Sequence, residues 1–316
     1  MKSNFDFLNR YWPALAQIGA TAETYVYSDP NACIYKLGMF AERLVQEILV
    51  FEHIAEPAVD NTHANRIRIL KRAGLLPHEI DNTLYVLRKT RNSAVHIGTD
   101  SVDEAKTLLS LTYNLAVWFM ETYGDWGYIA PEFVMPSETT HEDLESVIAE
   151  QEKKIAELTK QLAVVKTAAS GKTQKERAKR SESVSAMMNW NEAQTRCLID
   201  EQLRLSGWEA DAQNLRYSKG TRPVKGRNIA ISEWPTNSAF YKNGYADYAF
   251  FVGEKLVALM DAKKMSEDVA STIDVQVKDY AAHIKPEDIP HTVGNWNGYQ
   301  VPFLFASNGR AYLEQL

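Results

Sequence analysis

Residues 245–263 read YADYAFFVGEKLVALMDAK, two runs of strand-forming residues on either side of Gly253-Glu254. Each run carries an acid that a buried strand would not otherwise take. Asp247 sits in the first, Asp261 ends the second, and Lys263 follows two residues later. Side chains two apart on a strand share a face, so Asp261 and Lys263 point the same way, alongside Val257 and Leu259. If Asp247 faces them, two carboxylates and an ammonium converge. That set suits a hard divalent cation and the hydrolysis of a phosphodiester.

The turn decides whether they meet. A three-residue loop, Gly253-Glu254-Lys255, sets Asp247 opposite Asp261 with Cβ atoms ~5 Å apart. A two-residue Gly-Glu turn, which Gly in first place favours, puts the acids on opposite faces unless a bulge restores the register. The sequence leaves both open. Facing carboxylates ~5 Å apart at an effective dielectric of ~20 repel by roughly 3 kcal/mol, and a cation such as Mg2+ turns that repulsion into binding. The plainer alternative is a salt bridge at a strand end, Asp261 with Lys263 or Lys264.

Around this hairpin, the pattern predicts a helix from Asn191 to about Ser206, a strand at Trp208 and a loop, Arg216–Pro235, rich in Gly, Pro, Lys and Arg. A helix near Asp268–Ile284 and an apolar strand, Val301–Ala306, complete the order helix, three strands, helix, strand. Along it lie Glu192 with Thr195-Arg196, Leu198-Ile199-Asp200, Gly207-Trp208-Glu209, Ala246-Asp247-Tyr248, Asp261-Ala262-Lys263, Gln276 with Tyr280-Ala281, and Pro302 to Ala306 with Asn308-Gly309. In this order and spacing, residues 190–316 resemble the nuclease domain of type I restriction enzyme R subunits, a branch of the PD-(D/E)xK nucleases. The chain departs from the commonest pattern in having Asp261 where Glu is usual, and Ala246 replaces the Pro of the motif name, as is usual in type I subunits.

The resemblance implies roles. Asp247 and Asp261 would hold Mg2+, with the carbonyl of Ala262 completing the shell. Lys263 would orient or deprotonate the attacking water. Gln276 and Tyr280, four apart on one helix face, would support the site by contacting DNA or positioning the lysine. Glu192 is either a further acid reaching the metal or a charge favoured at a helix N-terminus. Arg216, Lys219, Arg222, Lys225 and Arg227 would line a DNA path or serve solubility alone. The implied enzyme is a type I site-specific deoxyribonuclease of the cytoplasm acting on double-stranded DNA. Its implied partners are methyltransferase and specificity subunits. ATP would enter only through a motor domain that the chain lacks. The chain stops at Leu316, about where that motor would begin, so a fragment or truncated product is expected.

Residues 1–136 read as an N-terminal helical bundle. Asp29-Pro30 is a cap followed by Pro at the first helical position, and Leu37, Phe40, Leu44, Ile48 and Phe51 keep helical spacing. Gly74 ends one helix, and Ser101 with Glu104 opens another that carries Leu108, Leu111, Leu115 and Trp118. Arg91 and His96 enclose Asn92-Ser93-Ala94-Val95 in a spacing that resembles the HEPN superfamily, some of whose members cut RNA with that pair. The alternative is that both side chains bond backbone groups where helices meet.

Residues 137–188 read as a helical linker. Leu144, Ile148, Gln151, Ile155, Leu158, Leu162 and Val165 form a short heptad seam, a lone helix or a weak coiled coil. Six basic residues from Lys166 to Arg180 predict a solvated hinge or a phosphate contact. Ser170-Gly171-Lys172-Thr173 imitates the end of a P-loop, but Lys166 stands where its first Gly would be and no strand precedes it.

The expected class is therefore α + α/β: the bundle, the linker, and over 189–316 a PD-(D/E)xK nuclease-like α/β/α domain with a mixed sheet. The net charge of −6, from 35 basic and 41 acidic residues, argues against a large nonspecific DNA surface. No apolar run approaches the ~18 residues of a membrane span. Cys33 and Cys197 are far apart and read as reduced thiols. Two other functions fit parts of the chain: a DNA-binding or subunit-docking module that cuts nothing, and a HEPN ribonuclease.

Overall fold

A computed structural model describes residues 3–56, 59–96, 101–138, 144–158, 166–188, 190–238, 244–263 and 276–308. The chain divides into two compact units, Met1–Met188 and Asn189–Leu316.

The first unit is helical: α1 (Pro13–Tyr25), α2 (Pro30–Phe51), α3 (His63–Arg72), α4 (His78–His96) and α5 (Val102–Phe119). The caps are those the sequence predicts. The Asp29 carboxylate accepts from the Ala32 amide at 2.9 Å, ahead of Pro30. The Ser101 hydroxyl accepts from the Glu104 amide at 3.2 Å. Gly74 follows α3 with φ +69°, a conformation open to Gly at little cost. Leu37, Phe40, Leu44 and Ile48 of α2 are fully buried, so this helix is the centre of the bundle.

The segment expected to be a mobile basic linker is part of this unit. In α6 (Leu144–Leu158), Ile155 is buried, Glu152 pairs with Lys36 of α2 at 2.6 Å, and Gln151 accepts from Thr24 of α1 at 3.3 Å. The heptad seam thus packs on its own unit as far as it is described, and Leu162 and Val165 lie outside the described residues. In α7 (Gln174–Met187), the Arg177 guanidinium forks onto Glu52, Nε to Oε1 at 2.7 Å and Nη2 to Oε2 at 2.5 Å. Arg180 donates to the carbonyls of Glu121 and Trp126 at 3.2 and 2.9 Å. Two of the six basic residues are therefore internal ties, and the hinge expectation is corrected. The P-loop imitation dissolves likewise: Thr173 caps α7, and the Lys172 ammonium lies 5.1 Å from the centre of the Trp126 ring.

The second unit is a mixed five-stranded sheet, α/β/α. After α8 (Glu192–Leu205) come β1 (Glu209–Ala210), β2 (Asn228–Pro235), β3 (Tyr245–Val252), β4 (Lys255–Ala262), a short helix α9 (Lys278–Ala282) and β5 (Phe303–Ser307). Strand order in space equals order in sequence. β1–β2 and β4–β5 are parallel, and β2–β3 and β3–β4 are antiparallel. Ile199 of α8 packs with Tyr248, Phe250 and Met260 on one face. Val277, Tyr280 and Ala281 pack with Ala249, Phe251 and Leu259 on the other. The helix expected near Asp268–Ile284 is described only from Gln276, where a wide turn leads into α9. Among the described residues no helix is long and apolar enough to cross a membrane.

Candidate functional site

The β3–β4 hairpin settles the register. Its turn is the shorter one: Val252 pairs with Lys255 across Gly253-Glu254, and Gly253 takes φ +60°. Left alone, that turn would put the two acids on opposite faces. A bulge corrects it. Phe251 pairs with Leu256 but Phe250 pairs with Ala258, which leaves Val257 as the extra residue on β4. Beyond the bulge Ala249 faces Leu259 and Tyr248 faces Met260, and the same register sets Asp247 opposite Asp261. Val257 is consequently turned to the other face, beside Ala258, and not to the side of Leu259 and Asp261 as simple alternation predicts.

The two carboxylates are neighbours across the hairpin, and the charge on Asp261 acts on Asp247. With Ala262, Lys263, Gln276, Tyr245 and Glu192 they line one polar cavity of about 220 Å³. Lys263 Nζ is 2.6 Å from Asp261 Oδ2 and donates to Gln276 Oε1 at 2.9 Å. The Gln276 amide donates to the Tyr280 hydroxyl at 2.7 Å and leans toward Asp261 Oδ1 at 3.4 Å. A lysine can only donate, so the contact fixes which end of the Gln276 amide faces it. Gln276 thus contacts the lysine, and Tyr280 contacts Gln276. The close fit of this corner is visible at Gly244, where a Cβ would meet the Ser238 side chain at 2.4 Å and the Tyr280 ring at 3.2 Å. Lys264 lies outside the described residues.

Burial raises the Asp247 carboxyl well above the usual carboxylate range, and the Asp261 charge adds to this; Arg196 and the Ala262 amide pull the other way. The pair is an anionic centre that desolvation makes unfavourable. Asp261 is 2% exposed, and its Oδ2, although close to the lysine, accepts no hydrogen bond of good alignment. A buried carboxylate oxygen left in that state beside a second carboxylate fits a small hard cation with oxygen ligands. Asp247, Asp261 and the Ala262 carbonyl are the groups that would hold one. Among the described residues no third acid, His or Cys joins them as a preformed metal cluster. A cation here would keep several waters, as Mg2+ commonly does. Glu192 lines the cavity, but its Oε1 is taken by Arg196 at 2.8 Å.

Arg196 is the residue that sequence reasoning missed. Four after Glu192 on α8, it looks like half of a surface helix pair. In the fold it also reaches Asp247 Oδ1, and it lies 3.5 Å from Glu233. Glu233 sits opposite Asp247 on β2 with φ +53°, an uncommon conformation for a residue with a Cβ. It is gripped from the other side by Arg216 at 2.8 Å. Arg216 is thereby engaged by an acid beside the site. Arg227 forms an exposed pair with Glu209 near the hairpin turn, roughly 17 Å along the strand from the acids. Lys219, Arg222 and Lys225 are left with less committed charges, with Arg222 stacked on the Tyr217 ring at 3.7 Å.

Of the Arg91 and His96 pair of the first unit, the surroundings of Arg91 are described. Arg91 pairs with Glu42 at 2.6 Å and crosses α2 at Gly38, where a Cβ would meet its side chain at 2.4 Å. Glu42 also takes Arg66 at 3.1 Å. Arg91 is therefore part of a structural ion-pair network. The side chain of His96 lies outside the described residues.

Residues 209–316 match the family model described as the second domain of the type I restriction enzyme EcoKI endonuclease subunit. The chain is also similar to the type I restriction enzyme EcoKI endonuclease subunit of Escherichia coli (strain K12), 28% identical over 389 residues that cover 98% of this chain and 33% of the relative. It thus spans about a third of the length of that curated relative. No solved structure matches it. Over nearly its whole length the chain is thus similar to a type I restriction enzyme endonuclease subunit, and over residues 209–316 to the model of that subunit's second domain.

Proposed function

We propose that residues 189–316 form the Mg2+-dependent DNA-cutting part of a type I restriction system, hydrolysing phosphodiester bonds in unmodified double-stranded DNA. The observation that carries this reading is the convergence of Asp247, Asp261 and Lys263 at one strand end, produced by a bulge that offsets the turn. Held by Asp247, Asp261 and the Ala262 carbonyl, Mg2+ would supply charge neutralisation at the phosphate and acidify a water. Lys263, fixed between Asp261 and the Gln276 amide, presents its ammonium to the cavity. There it can donate to the attacking water or to a phosphate oxygen as charge develops. Tyr280 turns the Gln276 amide so that its oxygen, not its nitrogen, meets the lysine. No nucleotide site is read in this chain. Target selection and ATP-driven movement fall to other parts of the proposed complex, with its methyltransferase and specificity subunits.

The test is cleavage of unmodified circular DNA by the complete R subunit reassembled with its partners. Asp247→Ala, Asp261→Ala and Lys263→Ala should each slow cutting at least ~100-fold, equivalent to about 2.7 kcal/mol, while ATP hydrolysis persists. Variants that cut at the wild-type rate would leave a module that binds or docks without cutting.

A further inference from the structure

Arg196 is held in an unusual way. Its Nη2 donates to two different carboxylates, Asp247 Oδ1 and Glu192 Oε1, and its Nη1 reaches Glu233 only at 3.5 Å. Its Nε is buried and donates to nothing. No carboxylate takes this guanidinium as a fork, so none fixes its plane. Three acids compete for it at single points, and a small rotation of the side chain trades one for another. Glu233 is kept within reach of it by a strained backbone and by Arg216.

The one acid of the three that also faces Asp261 is Asp247. A divalent cation between the two aspartates and a guanidinium on Asp247 Oδ1 would repel each other across a single carboxylate. We propose that Arg196 is an internal counter-ion that stands in for the metal's charge, and that cation binding moves it off Asp247 onto the waiting Glu192 and Glu233. This rests on the two aspartates being a metal site. It adds to that reading that the site's affinity is set low by a competitor built into the same chain. Binding of metal and binding of Arg196 to Asp247 are then negatively coupled, and the coupling is reciprocal.

The experiment is calorimetric titration of the 316-residue chain with Mg2+ alone. Arg196→Gln, which keeps a polar but shorter side chain and removes the charge, should bind Mg2+ about tenfold more tightly than wild type. Arg196→Lys should return toward the wild-type affinity. In parallel, the wild-type chain labelled at arginine is titrated with Mg2+ and the Nε–H resonance of Arg196 is followed by NMR. It should shift in step with binding, a readout that does not depend on any variant folding. Unchanged or weaker binding by Arg196→Gln, or a stationary Arg196 resonance while Mg2+ binds, would overturn the counter-ion. Asp261→Ala separates the two failures. If it abolishes Mg2+ binding while Arg196→Gln changes nothing, the metal site stands and the counter-ion falls; if wild type and Asp261→Ala alike bind nothing, both fall.

Discussion

Arg177 in the first unit and Arg196 in the second are both arginines surrounded by acid, yet they are wired differently. Arg177 meets one carboxylate, Glu52, fork on fork, and hands Nη1 to the carbonyl of Ala169 at 3.4 Å and to that of Lys172. Both side chains are nearly sealed from water, at 9% and 1% exposure. Arg196 meets three carboxylates, forks with none and leaves Nε unused. One arrangement gives its charge to a single carboxylate and the rest of its donors to carbonyls, and can only hold. The other oversubscribes one cation among several anions, which leaves it able to change partner. The difference lies in how acceptors are shared out, and it separates a structural tie from a responsive site more cleanly than the distances do.

The comparison breaks most visibly at Glu52. Glu52→Ala leaves a buried guanidinium without its counter-charge and should destabilise the first unit by about 3–5 kcal/mol, read by thermal or urea denaturation. Asp247→Ala, the matching cut in the second unit, should cost far less or stabilise the metal-free chain, because it relieves the repulsion from Asp261. Equal losses from the two would mean that Arg196 is a tie like Arg177.

A second effect follows from buried acid in the second unit. Asp200 is pushed up to about 7 by burial, although the Ala212 amide and the Tyr248 hydroxyl bond it at 2.7 and 2.8 Å. The Asp247 carboxyl is raised in the same direction. An acid whose folded pKa lies above its unfolded value releases a proton more readily on unfolding. Stability is therefore greatest below about pH 4 for these groups and falls as pH rises toward 7. Urea denaturation at pH 5 and pH 8 should show the loss, and Asp200→Asn should reduce it by roughly 1–3 kcal/mol. A variant with the same pH dependence as wild type would show that Asp200 is not the group responsible.

Smaller effects test the surroundings. Gln276→Ala removes one of the contacts that orient Lys263 but leaves Asp261 beside it. Turnover in the reassembled enzyme should fall about tenfold, near 1.4 kcal/mol, with KM for DNA little changed. A rise in KM alone would place Gln276 on the DNA instead. Arg227→Ala breaks an exposed pair with Glu209 and should leave the melting temperature unmoved.

Much of this architecture was legible in the sequence because its signals are local. Asp29 and Ser101 each cap a helix three residues away, and Gln276 and Tyr280 meet through one turn of chain. Most of the order of elements was legible for the same reason, but β2 (Asn228–Pro235) was not: it falls in the stretch expected to be a loop, where the preceding Gly, Pro, Lys and Arg residues masked its apolar run. What stayed hidden depends on distant chain. Arg177 finds Glu52 across 125 positions and Arg180 finds Glu121 across 59, so a docked helix looked like a basic hinge. Arg196 reads as a partner of Glu192 until the fold brings Asp247, 51 positions away, to the same guanidinium. The bulge was hidden for another reason: nothing in the identity of Val257 marks it as the residue without a partner.

That unpartnered valine means the acidic centre depends on parity, on whether the number of residues between its two aspartates and their shared turn is odd or even. Val257 is half-buried, and its side chain does not touch the acids. Exchanging it for another residue of similar size should be forgiven. Deleting it should be forgiven too, because Ala258 would then follow Leu256 directly, still opposite Phe250, and Asp261 would still face Asp247 across a hairpin without a bulge. Across a two-residue turn the acids face each other when an even number of residues separates them, or when one of an odd number bulges out. The position is thus set by counting and not by chemistry, and scanning it by substitution alone would not reveal that.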